Sequence, residues 1–440
     1  MNYRRFVTLW GLGAFGVALA CTHGGAIAQV PGTVGQPQQR PGPQVDRTPS
    51  ATAAENYDPT GVRLGSFKLF PTIEADEIFN DNVNATSNAI GKQAGFIQQI
   101  RPTLDLRSDW ANHMLNVYAK GGFGFFSVDS SLNNFQDVSA GVDGRIDIQR
   151  DWNIYGGASW NRRHEEFGTP NTVTGVGLPV TVYNQTIANL GYFQKFNRIS
   201  ARLDTRFDNY VYFNNGLGLA EGVIPNSDRN RNEFREALRL GYEFLPGFEF
   251  WVRGGFNQRI YRQDSFGVDR SSNGFDAVGG ILIDLGGITA IEVFGGYLQQ
   301  NYVSGAFPTV SVPTFGLTGY WNPLQELWVK PFVRRTVDES ALTASAAYIN
   351  TTAGVDVTYN MRPNIRLDAH ADYAIADYTS LSGGSSNQYD QYYTFRAGVT
   401  YFFTSNFYVG PTYQFIYRNS NQFNSDYDQN VVMLRLGARM

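Results

Sequence analysis

Arginines and carboxylates recur at every second position in one stretch of the chain. Arg202, Asp204, Arg206 and Asp208 are followed by Arg231, Glu233, Arg235 and Arg239, then by Glu249, Arg253 and Arg259. A spacing of two puts side chains on one face of a β-strand. On the wall of a water-filled passage, opposed rows of guanidinium and carboxylate groups set up a transverse field that selects or orients charged solutes. Paired across strands, the same residues would instead brace the wall. Both readings treat these residues as a charge ladder, and neither fixes a substrate.

Other groups suggest chemistry more weakly. Glu74, Asp76, Glu77 and Asp81 offer oxygen ligands of the kind Ca²⁺ takes, but Glu77 falls on the opposite strand face from Glu74 and Asp76. A solvated strand-to-loop junction explains them better. His164-Glu165-Glu166 lacks a second histidine at metal-binding spacing, and His113 and His370 stand alone on other segments. Serine and aspartate are plentiful, but a catalytic triad is recognised by geometry rather than by order. Gly121-Gly122-Phe123-Gly124 lies in strand sequence, without the strand-turn-helix context of a phosphate loop. The reading is of a non-enzyme without cofactor or metal.

Composition narrows the class. The formal net charge is −4, which excludes a strongly basic nucleic-acid binder. Only 17% of residues are charged, while 15% are aromatic and 47 are glycine. That balance, without long apolar runs, points to all-β structure. A single cysteine, Cys21, rules out a disulfide framework.

From Val62 onward the chain alternates. Ile199, Ala201, Leu203, Thr205 and Phe207 interleave with Ser200, Arg202, Asp204, Arg206 and Asp208, and the pattern recurs over Ile365–Tyr373 and Val432–Met440. Soluble sandwich strands average about 5–6 residues; these segments reach the roughly 9–11 needed to cross a bilayer at a tilt. Short polar turns are expected at Ser108–Asn112, Arg150–Asp151, Phe196–Arg198, Leu245–Phe248, Leu285–Ile288, Asn322–Glu326, Asn360–Asn364 and Phe403–Asn406. Longer loops are expected at Asn80–Ala94, Gly168–Thr181, Asn214–Asp228, Gln263–Asn273, Ser304–Ser311, Ser380–Asn387 and Asn419–Ser425. Short turns on one side and longer loops on the other are the outer-membrane pattern. Eight turns imply a transmembrane antiparallel β-barrel of about 18 strands, with 16 as the alternative. Aromatics near the turns, Trp110, Trp152, Phe196, Phe244, Phe248, Trp321, Trp328, Phe402 and Phe407, read as one interfacial girdle. Phe126, Phe167, Tyr210, Tyr212, Tyr261, Tyr302 and Tyr417 read as the other. Pro102, Pro331 and Pro411 fall inside segments and predict bulges or strand ends.

The first residues read as an address. Arg4 and Arg5 precede an apolar run from Phe6 to Ala20, and Ala26-Ile27-Ala28 suits a signal peptidase, so residues 1–28 are expected to be a cleaved signal peptide. Residues 29–60, rich in Pro and Gln, are expected to be a disordered periplasmic tail. Residues 61–440 are expected to form the barrel.

One segment carries a family resemblance. Phe79-Asn80-Asp81-Asn82-Val83, then Ile100 through Trp110 with Pro102 and His113, resemble the N-terminal signature of the outer-membrane beta-barrel porins of type 2. The motif-level match covers Ile73 to Phe126. The resemblance implies a proteobacterial outer-membrane barrel, often encoded near exopolysaccharide loci, and carries over no catalytic residue. The chain departs from the usual C-terminal assembly signal in ending on Met440 rather than phenylalanine. The expected partners are outer-membrane lipid, the barrel-assembly machinery, and polysaccharide or small solutes, with no nucleic acid. Two function classes follow. One is a conduit, either a passive porin or an exit channel for a secreted exopolysaccharide. The other is a non-conducting structural or surface-binding barrel, with an outer-membrane hydrolase ranked last. A polysaccharide route would show lumenal aromatics as stacking platforms, and Trp251 and Tyr261 share parity with Arg253 and Arg259.

Overall fold

A computed structural model describes residues 57–440 apart from 171–177, 217–222, 225, 266, 287, 341, 343–344 and 381–387. The expected signal peptide and nearly all of the expected tail lie outside the described residues. The eighteen long strands are β1 Phe67–Asn80, β2 Gly95–Ser108, β3 Met114–Phe126, β4 Phe135–Gln149, β5 Trp152–Glu165 and β6 Thr181–Phe196. They continue as β7 Ile199–Tyr212, β8 Arg231–Leu245, β9 Phe248–Tyr261, β10 Ser272–Asp284, β11 Thr289–Tyr302 and β12 Val310–Leu324. The last six are β13 Leu327–Glu339, β14 Ser345–Arg362, β15 Ile365–Ser380, β16 Tyr389–Phe402, β17 Phe407–Ser420 and β18 Tyr427–Arg439. Each pairs antiparallel with its neighbours in sequence. β18 closes on β1 from Thr72↔Arg439 to Asn80↔Val431. A short strand, Val62–Leu64, folds back on the start of β1.

Closure explains why these sequences form these strands. A hydrocarbon environment offers no partner to an unpaired backbone N–H, so a spanning sheet must have no edge. Alternation then sorts the side chains. On β7, Leu203 is 47% exposed toward lipid while Arg202 is 8% exposed toward the lumen. On β18, Leu434 faces out at 48% and Arg435 in at 3%.

All eight expected turns are present at one end. Of the nine loops at the other end, two are not among those expected. One holds the short helix Ser130–Asn133, and the other follows Glu339. Trp110, Phe196, Trp321, Phe407 and Tyr417 face outward as expected, but Trp328 and Phe402 are buried on the inward parity of their strands. The rest of the loop-end girdle differs from expectation. Tyr210, Tyr212 and Tyr261 are buried in the lumen, because they share the parity of Asp208 and Arg259. Tyr302 shares the inward parity of Gln300, and Phe126 packs on the buried cluster of Ile78 and Ile97. Outward aromatics at that level are instead Phe79, Phe96, Phe125, Phe234, Phe256, Phe275, Tyr297 and Phe315.

The prolines also depart from expectation. Pairing of β2 with β3 skips from Ile100↔Phe123 to Thr103↔Lys120, and the register is the same on both sides of Pro102. Pro331 interrupts the β12–β13 ladder between Thr318↔Phe332 and Trp321↔Val329. Pro411 interrupts β16–β17 between Gly398↔Thr412 and Tyr401↔Val409. Each removes a donor locally without ending its strand or inserting a bulge, because the flanking pairs hold the register.

The alternation predicts a parity-dependent cost. Leu203→Arg should destabilise the barrel by up to about 2–4 kcal/mol, the penalty for an arginine on the lipid face near the midplane. Chemical unfolding of the protein in lipid vesicles measures it, and an unchanged midpoint would place Leu203 away from lipid.

Candidate functional site

The lumen holds the polar chemistry. All eleven ladder residues face it, from β7, β8 and β9, and most of the arginines find a carboxylate close by. Spacing of i and i+2 lets a strand supply both partners. Arg202 Nε lies 2.7 Å from Asp204. Arg206 donates to both oxygens of Asp208 at 2.7 Å. Arg231 donates to Glu233 at 2.7 Å, and Arg235 donates to the other Glu233 oxygen. Arg235 also lies 3.8 Å from Asp208 on β7. Aromatic rings complete the enclosure. Arg231 sits 4.2 Å from the Tyr210 ring centroid, and Arg239 sits 4.1 Å from that of Trp251.

Three further carboxylates join the ladder without appearing in the alternating run that defines it. Arg239 reaches Glu292 on β11 at 2.6 Å as well as Glu249 at 3.2 Å. Arg253 pairs with Asp276 on β10 at 2.8 Å, and Arg259 pairs with Glu339 at the end of β13 at 2.5 Å. Asp276 and Glu292 carry one usable sequence signal, the inward parity of their strands. The ladder is thus a network of pairs rather than a bare basic row facing a bare acidic one.

The acidic stretch does not gather. Glu74 and Asp76 lie 3.0 and 2.7 Å from Arg101, Arg435 donates to Asp76 at 2.8 Å, and Glu77 is exposed on the lipid face. His370 is held between Asp356 at 2.7 Å and Asp372 at 2.6 Å. His164 stacks on Phe135, with centroids 3.7 Å apart, and bonds Asp137 at 3.0 Å. Among the described residues no serine hydroxyl bonds a histidine.

One loop reaches inward. The connection from β5 to β6 sends residues 167–170 toward distant strands, while the Val180 N–H donates to Leu132 O in the loop between β3 and β4. Tyr378 on β15 donates to Pro170 O at 2.8 Å, and Tyr427 on β18 donates to Gly168 O at 3.1 Å. Phe167, expected in the loop-end girdle, packs inside against Ala85, Ile416 and Tyr427. Gly168 takes φ +84° with the Tyr427 ring hard against it, so a Cβ there would meet both strain and a clash. The loop is anchored at its start by Arg229, which donates to both Glu165 oxygens at 2.9 and 2.6 Å. Burial alone would lower the Arg229 pKa, but the Glu165 carboxylate raises it, and the net shift is upward.

Two hollows open into this interior. One, of about 880 Å³, is lined by Ile78, Gln99, Phe135, His164, Tyr392 and Gln429 beside the inward loop. The other, of about 790 Å³, is lined by Arg206, Arg235, Arg253, Asp276, Gln300 and Thr336 along the ladder.

A closed barrel of eighteen strands, apolar outside and charged within, defines a porin-type protein of the outer membrane. A family model described as "Putative beta-barrel porin 2" matches residues 55–440, and the chain belongs to that family, in the outer membrane of a Gram-negative cell. Among solved structures it is similar to OpdO of Pseudomonas aeruginosa, with 13% identity, a TM-score of 0.43, and coverage of 85% of this chain and 97% of that one. The outer membrane protein OpdK of Pseudomonas aeruginosa matches at 10% identity and TM-score 0.44, over 85% and 99% of the two chains. A mutant of the ferric enterobactin receptor PfeA from Pseudomonas aeruginosa matches at 7% identity and TM-score 0.44, over 86% and 81%. No curated protein matches the chain.

The buried pairs carry a stability prediction. Glu233 is 1% exposed between two arginines. Glu233→Gln leaves Arg231 and Arg235 without their shared counter-charge and should cost about 3–5 kcal/mol. Guanidinium unfolding monitored by heat-shifted gel mobility tests it; a loss no larger than that of an exposed loop substitution would show that water already screens the pair.

Proposed function

We propose that this protein is a passive outer-membrane pore for small polar solutes, without catalytic activity. The observation that carries the reading is the inward loop. Its ties to Tyr378 and Tyr427 lie across the lumen from β5. A passage narrowed this way suits small solutes better than a polymer in transit. The lumenal tyrosines support the same choice: Tyr210, Tyr212, Tyr261, Tyr348, Tyr378 and Tyr392 are buried against one another or against arginines, and do not lie open as stacking surfaces for a sugar chain. In this reading residues 1–28 direct export and are removed, and the barrel-assembly machinery inserts the rest.

The ladder then sets a local field rather than a strong overall selectivity, because its charges are paired. Arg206 and Arg253 border the charged hollow together with Asp204 and Asp276, so a solute passing there meets both signs.

Single-channel recording in a planar bilayer tests the proposal. Refolded mature protein should give stable steps that scale with salt. Absence of steps from protein shown by heat-shifted mobility to be folded would overturn it. Tyr378→Phe combined with Tyr427→Phe removes two hydrogen bonds of roughly 1 kcal/mol each, so loop release should become about 30-fold more populated and a larger conductance level should appear. Asp276→Asn frees Arg253, and the reversal potential in a salt gradient should move toward anion preference.

A further inference from the structure

The barrel wall is not equally closed all round. β12 and β13 are joined only from their turn up to Gly316↔Arg334. Beyond that level Val310 through Phe315 pair with β11 alone, and Arg335 through Glu339 pair with β14 alone. Among the described residues no ladder joins Val310–Phe315 to Arg335–Glu339, the loop ends of the two strands.

One proline, Pro313, lies in this gap, and a second, Pro331, lies on the same boundary nearer the turn, where the ladder continues past it. The Asn322 N–H donates to Ile288 O at 2.7 Å, so even-numbered residues of β12 bond β11 and odd-numbered ones face β13. The Asn360 N–H donates to Glu326 O at 2.8 Å, so odd-numbered residues of β13 face β12. Pro331 therefore withholds its donor from this boundary, and so does Pro313. Continuing the register, Pro313 would stand opposite Val337. The Val337 carbonyl instead accepts from Arg259 Nη2 at 3.1 Å, and the Arg335 carbonyl accepts from Thr314 Oγ1 at 2.9 Å. Side chains that can swing away stand where backbone donors would lock the wall.

The gap is lined for a guest. Val337 has outward parity but is only 4% exposed, packed with Val310 and Ala347 and flanked by Leu298, Val312 and Ile349 from both sides of the gap. The charged hollow reaches this apolar lining at Leu298, Thr314 and Val337. There Arg253 Nε, Arg259 Nε and Asn257 Oδ1 are buried without hydrogen-bond partners. The two Nε–H groups are buried donors left unused and call for a partner, whereas Asn257 Oδ1 is an acceptor. Outside the gap lie Phe315 and Tyr297, at the level of the loop-end aromatics.

We propose that the β12–β13 gap is a lateral binding site and passage for a single-chain amphiphile with an anionic head, such as a long-chain fatty acid. Its chain lies along Val310, Val312 and Val337 toward the outer leaflet, and its head takes the free Nε–H donors of Arg253 and Arg259. This route is separate from the axial pore and does not depend on it.

The test uses the mature protein in phospholipid vesicles with a diazirine-bearing palmitate as probe. Photolabelling mapped by peptide mass spectrometry should mark the gap and the hollow at Leu298 and Val310. Phe315→Cys with Arg335→Cys places a disulfide across the gap. Oxidation should lower hollow labelling about tenfold or more, with lipid-face labelling unchanged, and reduction should restore it. Pro313→Val returns an N–H opposite Val337 and should lower labelling about fivefold if the disulfide variant fails to fold. Absent hollow labelling, or labelling indifferent to both closures, overturns the proposal. Conductance recorded on the same preparation separates this outcome from failure of the axial pore, which would abolish current and leave the labelling intact.

Discussion

The structure rests on one constraint: hydrocarbon cannot hydrogen-bond a peptide group. That requirement turns a set of alternating segments into a closed ladder and fixes which face of each strand meets lipid. It also ranks the irregularities. Pro102 and Pro411 each remove one donor and leave the register intact, so the wall continues past them. Pro331 lies opposite Gly319, inside the joined stretch, and the pairing runs past it to Gly316↔Arg334. Only Pro313 stands within the unjoined part, facing β13 beyond that last pair, where the ladder ends.

Within the wall the same low-polarity surroundings govern the charges. An unpaired guanidinium is costly away from water, so nearly every lumenal arginine on β7, β8 and β9 has a carboxylate within reach. The loop from β5 adds a second layer of enclosure. Its ties to Tyr378 and Tyr427 use main-chain oxygens, which explains why those tyrosines are buried with their hydroxyls engaged. The interior is therefore a divided space with two hollows of different character, one largely apolar and one bordered by the ladder.

Much of this is legible from residue order. A period of two survives in the sequence because each face meets one solvent, so parity alone assigns Leu203 and Arg202 to opposite sides of the wall. Turns are legible because short connections concentrate polar residues. Contacts across the lumen are not. Glu292 and Glu339 meet Arg239 and Arg259 only because the wall curves, and curvature has no local code. The inward course of Gly168 and Pro170 is hidden for the same reason. The lumenal tyrosines have a readable parity, yet aromatic residues near strand ends suit a membrane interface equally well, and the two signals conflict at Tyr210 and Tyr261. Pro313 gives no local signal because its effect depends on which edge of the strand it occupies, and that depends on neighbouring pairings.

The same-strand ion pairs have a consequence for how the barrel is made. Arg202 with Asp204, Arg206 with Asp208, and Arg231 with Glu233 each find their counter-charge two residues away. A strand of this kind carries its own neutralisation and does not wait for a neighbour to supply it. During insertion such a hairpin presents the bilayer with dipoles rather than bare ions. The order in which strands arrive is then free of the electrostatic bottleneck that cross-lumen pairs such as Arg259 with Glu339 would impose, and those late pairs are left to settle once the cylinder has closed.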